Sequence, residues 1–243
     1  MTGSFFRWIG LAVIFGYYAV SGILRAPFGA AGIYYRSIVS KFGKYMLAAA
    51  GGKAIFEGLD NLDPKKHYVF VGNHQSYADI FLLLAALNTL NMGTIFMLKK
   101  ELFKIPFLGS VAKYMGMIPI ENDESRKALK TVLDAVKALE KGISLTIFPE
   151  GSRSKDGEII SFKRGAFLIA GHTGMPIVPF AITGTADVMP CGNLNVKPGL
   201  CRISFLPPVM PGNMPSKELA SSVEDIVRNE YNRLRFTGKT EGK

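Results

Sequence analysis

A histidine and an aspartate separated by four residues, His74 and Asp79, lie in the stretch Asn73-His74-Gln75-Ser76-Tyr77-Ala78-Asp79. The chain has only two other histidines, His67 and His172. His74 follows the apolar run 68–71, the place where a parallel α/β sheet presents its functional edge. On one continuous α-helix the two side chains would point about 140° apart. They meet only if His74 lies on a strand-to-helix turn and Asp79 falls in the first helical turn. Ser76 supplies an N-cap for that helix, because Ser-x-x-Asp ahead of the apolar run 80–84 resembles a capping box. An aspartate accepting Nδ1–H fixes the imidazole tautomer and supports the imidazolium, which leaves Nε2 to take a proton from a hydroxyl. No Gly-x-Ser-x-Gly occurs, so the pair would activate an alcohol directly, with no covalent enzyme intermediate. In the competing reading Asp79 only caps a helix and His74 packs in a loop. A bare His-x4-Asp spacing is common by chance and does not separate the two.

A second set of residues follows the apolar run 145–148, so it too belongs at a sheet edge. It reads Pro149-Glu150-Gly151-Ser152-Arg153. A guanidinium at Arg153 can grip a phosphate bidentately, and Lys99, with Lys100 beside it, supplies point charge from the end of the run 94–98. Alternatively, Arg153 pairs with Asp156 on a surface turn and Lys99 is simply solvated. Glu150 would repel an anion unless turned away, so it is expected to hydrogen-bond backbone amides or a substrate hydroxyl. Gly151 lets the backbone approach closely. Lys163 and Arg164 either hold a phosphate-bearing ligand or begin a helix. Cys191 and Cys201 form no metal or disulfide pattern, and no metal or cofactor is expected.

The elements that must position these residues alternate. Strands are predicted over 54–57, 68–71, 94–98, 117–120, 145–148, 177–182 and 202–206. Helices are predicted over 80–90, 107–114, 125–141, 165–172 and 216–236, the last with Leu219, Val223, Ile226, Val227 and Leu234 on its inner side. The pattern predicts an α/β fold, a mostly parallel central sheet flanked by helices. Residues 51–243 would form this domain and residues 1–50 a separate membrane-associated segment.

The first 50 residues differ in kind from the rest. No acidic residue precedes Glu57, yet Arg7, Arg25, Arg36, Lys41, Lys44 and Lys53 all do, within a chain of net charge +10 and mean hydropathy +0.20. These charges sit between apolar runs, which suits an anionic membrane surface and not nucleic acid. Residues 8–24 carry no charge and lie at the short end of the roughly 17–25 residues that span a bilayer. A second apolar stretch, 26–50, is interrupted by Arg36, Lys41 and Lys44, with Pro27 and Gly29 marking a break. Three readings compete: a transmembrane anchor, a helical hairpin entering one leaflet, and a cleaved signal peptide. The hairpin stands ahead of the anchor, because the second stretch is too apolar for a loop and too basic to span. Trp8, Tyr17, Tyr18, Tyr34 and Tyr35 would then lie at headgroup depth.

Taken together, the blocks resemble the glycerolipid acyltransferase family, and within it the bacterial 1-acylglycerol-3-phosphate acyltransferases. Five blocks occur in the family's order: Asn73-His74 with Asp79; 99–109; Phe148-Pro149-Glu150-Gly151 with Arg153; 161–167; and 175–179. The resemblance implies transfer of a fatty acyl group from acyl carrier protein or acyl-coenzyme A to the sn-2 hydroxyl of lysophosphatidic acid, giving phosphatidic acid. It implies His74 and Asp79 as the catalytic pair, Arg153, Lys99 and Lys100 as phosphate contacts, and Asn73, Glu150 and Gly151 as residues that shape the site. Work at the cytoplasmic face of a cell inner membrane or plasma membrane follows from the same chemistry. One departure is Asn122, where relatives often have an arginine; Arg126 is a substitute within reach of the next helix. A related acceptor, such as another lysolipid or glycerol-3-phosphate, or a lipid-binding protein without catalysis, are the alternatives.

Overall fold

A computed structural model describes residues 2–25, 40–105, 108–114, 116–120, 135–137, 143–154 and 156–240. Within these, helices α1 (Thr2–Arg25) and α2 (Ser40–Ala50) precede strand β1 (Gly52–Glu57). There follow β2 (Val69–Gly72), α3 (Ala78–Thr89), β3 (Thr94–Lys99), α4 (Leu108–Tyr114), β4 (Ile118–Ile120) and β5 (Ser144–Ile147). The chain continues through α5 (Gly165–Thr173), β6 (Ile177–Thr183), the single turn α6 (Thr185–Val188), β7 (Gly199–Phe205) and α7 (Ser216–Thr240). The seven strands form one sheet in the order β1-β7-β6-β2-β5-β3-β4. Every pairing is parallel except β6 with β7. The C-terminal ends of β2, β3, β4, β5 and β6 therefore leave the sheet at one edge.

The central strands β2, β5 and β6 are buried along their whole length because helices cover both faces. Period-two alternation sorts their side chains into two cores. Phe70, Val178, Phe180 and Ile182 pack with Leu82, Leu83 and Leu87 of α3 on one face. Val69, Val71, Leu145, Ile177 and Ala181 pack on the other with Phe167 and Ile169 of α5 and with Leu219, Val223, Val227 and Leu234 of α7. At Gly43, α2 crosses α3 with backbones nearly touching. A Cβ there would stand 2.4 Å from that of Leu84 and 2.8 Å from the Phe81 carbonyl oxygen, so Gly43 has no substitute at this crossing.

The strand and helix predictions hold to within a few residues at each end, apart from the predicted helix 125–141, of which only 135–137 fall among the described residues and are helical. Asn122, Arg126, Tyr34 and Tyr35 lie outside the described residues.

Helix α1 contains a stretch, Gly3–Gly22, long and apolar enough to cross a membrane by length and composition. It also packs along α2: Phe15 and Tyr18 both meet Phe42, and Leu11 is buried in the core beside α2. Near its start the Trp8 indole N–H and the Ser4 hydroxyl both donate to the Leu194 carbonyl. Trp8 is thus tied to the α/β domain through the group that was expected at headgroup depth. On the opposite side Phe6, Ile9, Val13, Tyr17, Val20 and Leu24 form an exposed row at helical spacing.

Candidate active site

The turn that leaves β2 is built from buried polar side chains that are hydrogen-bonded, with one buried atom, Asp79 Oδ1, left without a partner among the described residues. Gly72 ends the strand where a Cβ would collide with the Phe180 ring. The side chain of Asn73, fully buried, then continues the ladder toward β6. Its amide donates to the Ile182 carbonyl at 2.9 Å and its oxygen accepts the Ile182 N–H at 2.7 Å. The chain turns away from the sheet here, and His74 begins the turn.

Ser76 caps α3 as its sequence predicts. Its hydroxyl accepts the Ala78 N–H at 3.0 Å, and the Asp79 carboxylate reaches back to the Ser76 N–H at 2.9 Å. This is the reciprocal pair of a capping box. The same oxygen of Asp79, Oδ2, also accepts the Gln75 N–H at 2.7 Å and lies 2.8 Å from His74 Nδ1. The two readings of Asp79 therefore describe one carboxylate that both caps the helix and holds the imidazole. An oxygen already facing two N–H donors can only accept from the ring as well, so Nδ1 carries the proton and Nε2 does not. Among the described residues Nε2 has no hydrogen-bond partner, and the His74 side chain is 16% exposed where that of Asp79 is fully buried.

Three further contacts fix His74. Its ring stacks on Phe148 with centroids 4.1 Å apart and planes 15° apart. Its N–H donates to Glu150 Oε1 at 2.6 Å, and its carbonyl accepts the Ser154 N–H at 2.8 Å. Glu150 is 2% exposed, and its second oxygen accepts the Ile160 N–H at 2.8 Å. Of the two roles expected for this carboxylate, bonding to backbone amides is the one observed. Burial pushes its carboxyl up to about 7, with the two amides opposing and the charge of Asp79 adding. Gly151 turns the chain at φ +71°, a conformation that favours glycine, and Lys163 Nζ lies 3.0 Å from where a Cβ on Gly151 would stand.

Behind this turn, one polar row of α7 grips the segment 157–162. Glu224 accepts the Phe162 N–H and the Ser161 hydroxyl, and Arg228 donates to the Ile159 carbonyl. The Tyr231 hydroxyl donates to the Gly157 carbonyl and accepts from the Gln75 amide, while Arg235 pairs with Glu158. The segment so held supplies the Ile160 N–H to Glu150. A chain of direct contacts thus runs from α7 to the backbone of His74.

The cations divide into two groups. Arg153 lies in the turn after β5, its guanidinium carbon 3.8 Å from the centroid of the Tyr77 ring. It does not pair with Asp156, whose carboxylate is taken by the Ser154 hydroxyl and the Glu158 N–H and lowered by those bonds. Lys99 and Lys100 stand at the end of β3, at the same edge as the His74–Asp79 pair but separated from β2 by β5. Lys163 joins the Gly151 turn, and Arg164 precedes α5. Cys191 and Cys201 are unbridged, and no cluster of three or more metal-ligating side chains occurs among the described residues.

Three residues of the site carried no role in the sequence reading: Phe148, Tyr77 and Tyr231. Each left a signal. Alternation along β5 puts Phe148 on the face opposite Leu145 and Ile147, toward His74. Tyr231 falls four residues after the buried Val227, where a hydroxyl on an inner helix face needs a partner. Tyr77 is a large ring left 51% exposed immediately before the buried first turn of α3.

A family model described as acyltransferase matches residues 53–183. A chloroplastic 1-acyl-sn-glycerol-3-phosphate acyltransferase of Arabidopsis thaliana is 39% identical over 142 residues, covering 58% of this chain and 39% of the plant protein. A 1-acyl-sn-glycerol-3-phosphate acyltransferase of Salmonella typhimurium is 34% identical over 142 residues, 58% of this chain and 56% of its own length. The matched stretch thus spans less than two thirds of either relative. The crystal structure of the 1-acyl-sn-glycerophosphate (LPA) acyltransferase PlsC from Thermotoga maritima superposes with a TM-score of 0.83 at 28% identity, covering 96% of this chain and 95% of that one. With the family model matching residues 53–183, more than half of the chain, the chain belongs to the acyltransferase family.

Proposed function

We propose that this chain transfers a fatty acyl group from a thioester of acyl carrier protein or coenzyme A to the sn-2 hydroxyl of 1-acylglycerol-3-phosphate, forming phosphatidic acid. The observation that carries the reading is the His74 Nδ1 to Asp79 contact of 2.8 Å, on a carboxylate oxygen that also takes two backbone N–H groups. That geometry supports Nε2 as the proton acceptor. As Nε2 removes the hydroxyl proton, the acceptor oxygen attacks the thioester carbonyl. The tetrahedral intermediate collapses with loss of the thiolate, which takes the proton back from the imidazolium. Asp79 stabilises the imidazolium between the two transfers. Arg153 binds the acceptor phosphate, with Lys99 and Lys100 adding positive potential at the same edge. Asn73, Glu150 and Gly151 hold the two turns in place and touch no substrate.

We assign residues 51–243 to the catalytic domain and residues 1–50 to membrane association at the cytoplasmic face of a cell inner or plasma membrane. The packing of α1 on α2 and its bonds to the Leu194 carbonyl support a hairpin lying in one leaflet, with the row from Phe6 to Leu24 toward the lipid.

The test is to incubate detergent-solubilised protein with lysophosphatidic acid and each acyl donor and to identify lipid products by mass spectrometry. Phosphatidic acid is the expected product. Acylation of a phosphate-free lysolipid at an equal rate, or no lipid product with either donor, would refute the assignment.

A further inference from the structure

The guanidinium of Arg153 lies over the ring of Tyr77, 3.8 Å from its centroid. The way a cation is held decides what it can still bind. An arginine paired with a carboxylate has spent its N–H edge, and an incoming phosphate must displace the partner. An arginine stacked on a ring is held by its face, and its in-plane N–H groups stay available for a bidentate grip. No carboxylate among the described residues lies within ion-pair distance of Arg153; its neighbour Asp156 is turned into its own loop, where Oδ1 accepts from the Ser154 hydroxyl and the Glu158 N–H.

Tyr77 is well placed to serve as a fixed support. It is helical at φ −63° and ψ −27°, between Ser76 and Asp79, the two residues of the capping box. Its backbone is therefore set by the bonds that also set the imidazole of His74. The ring is 51% exposed, so burial in the core does not account for it. A base and a cation referenced to one short rigid turn have a fixed separation. A glycerol backbone bearing a hydroxyl beside a phosphate-bearing carbon demands the same of its site.

We infer that Tyr77 is a positioning residue for the acceptor: its ring holds Arg153 edge-free at a set distance from His74, so that the phosphate places the neighbouring hydroxyl at Nε2. The inference rests on the assignment of Arg153 to the acceptor phosphate. Loss of one exposed cation–π contact corresponds to about a two- to fivefold change in binding. Tyr77→Leu should therefore raise the KM for lysophosphatidic acid by that factor with kcat within twofold of wild type, and Tyr77→Trp should restore it. In an Arg153→Ala background Tyr77→Leu should add nothing. Melting temperatures of all variants should agree within about 2 °C, because the residue is exposed. The equilibrium Kd for lysophosphatidic acid, measured in parallel in detergent micelles, reads the same effect without turnover, so that failure of acyl transfer and failure of this inference are separable. A Tyr77→Leu protein with unchanged KM and Kd would overturn the inference, as would equal losses in the Leu and Trp variants or a fall in kcat alone. If Arg153→Ala leaves KM and Kd unchanged, the assignment beneath it falls as well.

Discussion

The turn after β2 and the end of β3 leave the same edge of one sheet with only β5 between them, and they are built in opposite ways. After β2, Asn73, Gln75, Ser76 and Asp79 are each at most 4% exposed, and His74 is held through its N–H, its carbonyl, Nδ1 and its ring face. At the end of β3, Lys99 and Lys100 are exposed and project from the start of a short 3-10 turn. The general base proposed at His74 needs a fixed position and tautomer, and its surroundings are closed and bonded except at Asp79 Oδ1, which is buried without a partner among the described residues. A source of positive potential for a mobile anion works from a distance and needs little more than its charge. Arg153 stands between these extremes, anchored by one face and open along its edge.

If the contrast is functional, damage should scale with how tightly a residue is bound into the β2 turn. His74→Ala should lower acyl transfer by about a thousandfold while leaving the melting temperature near that of wild type, since the ring forms one stack and one hydrogen bond; single-turnover assays alongside thermal unfolding check both halves. Next comes Glu150→Gln. The amide group it introduces must face a backbone N–H of either His74 or Ile160, leaving that donor unmet at a cost of about 1–3 kcal/mol. A tenfold or greater loss of kcat with a lowered melting temperature is expected.

Glu150 also predicts a pH dependence. An unfolded glutamate titrates near 4.5, whereas this carboxyl in the fold titrates at about 7. Between those values the folded chain holds a proton that the unfolded chain has released. Its contribution to stability is complete below pH 4.5 and is lost as the pH rises toward 7, amounting to about 3 kcal/mol across the window. Denaturant unfolding in detergent from pH 4.5 to 7.5 should show a downward slope that Glu150→Gln flattens.

Smaller effects follow farther out. Tyr231→Phe removes the hydroxyl that joins α7 to Gly157 and Gln75, at a cost of about 1 kcal/mol. It should lower kcat severalfold with acceptor KM nearly unchanged, because only the support behind His74 is loosened. Lys99→Ala should do the reverse: a KM for lysophosphatidic acid raised about two- to threefold, more at low salt, with kcat and melting temperature unaltered.

What could be read from the residues alone follows from how local each relationship is. His74, Ser76 and Asp79 lie within six residues, so helix geometry and capping chemistry could specify the one turn on which they would meet, but not that they do. The alternation of strands and helices likewise gave a mostly parallel sheet, and with it one common edge for the ends of β2, β3 and β5. The Glu150 bridge joins His74 to Ile160, and the first of these is 76 residues away in sequence. No periodicity encodes such a bond, so the sequence left a substrate hydroxyl as an equal partner for that carboxylate. The α7 row is spaced as a helix face, but what it faces depends on how α7 docks. The alternative pairing of Arg153 with Asp156 is not observed: Asp156 Oδ1 accepts from the Ser154 hydroxyl and the Glu158 N–H in its own turn, while the Arg153 guanidinium lies over the Tyr77 ring.

Beneath all of this lies the protonation pattern of one ring. Nitrogen-15 spectra of protein labelled at its three histidines, recorded at a pH where the ring is neutral and assigned through His74→Ala, read it directly. His74 should carry its proton on Nδ1 with Nε2 bare, and Asp79→Asn should lose that preference together with acyl transfer. A wild-type His74 protonated on Nε2, or a tautomer indifferent to Asp79, would contradict the account.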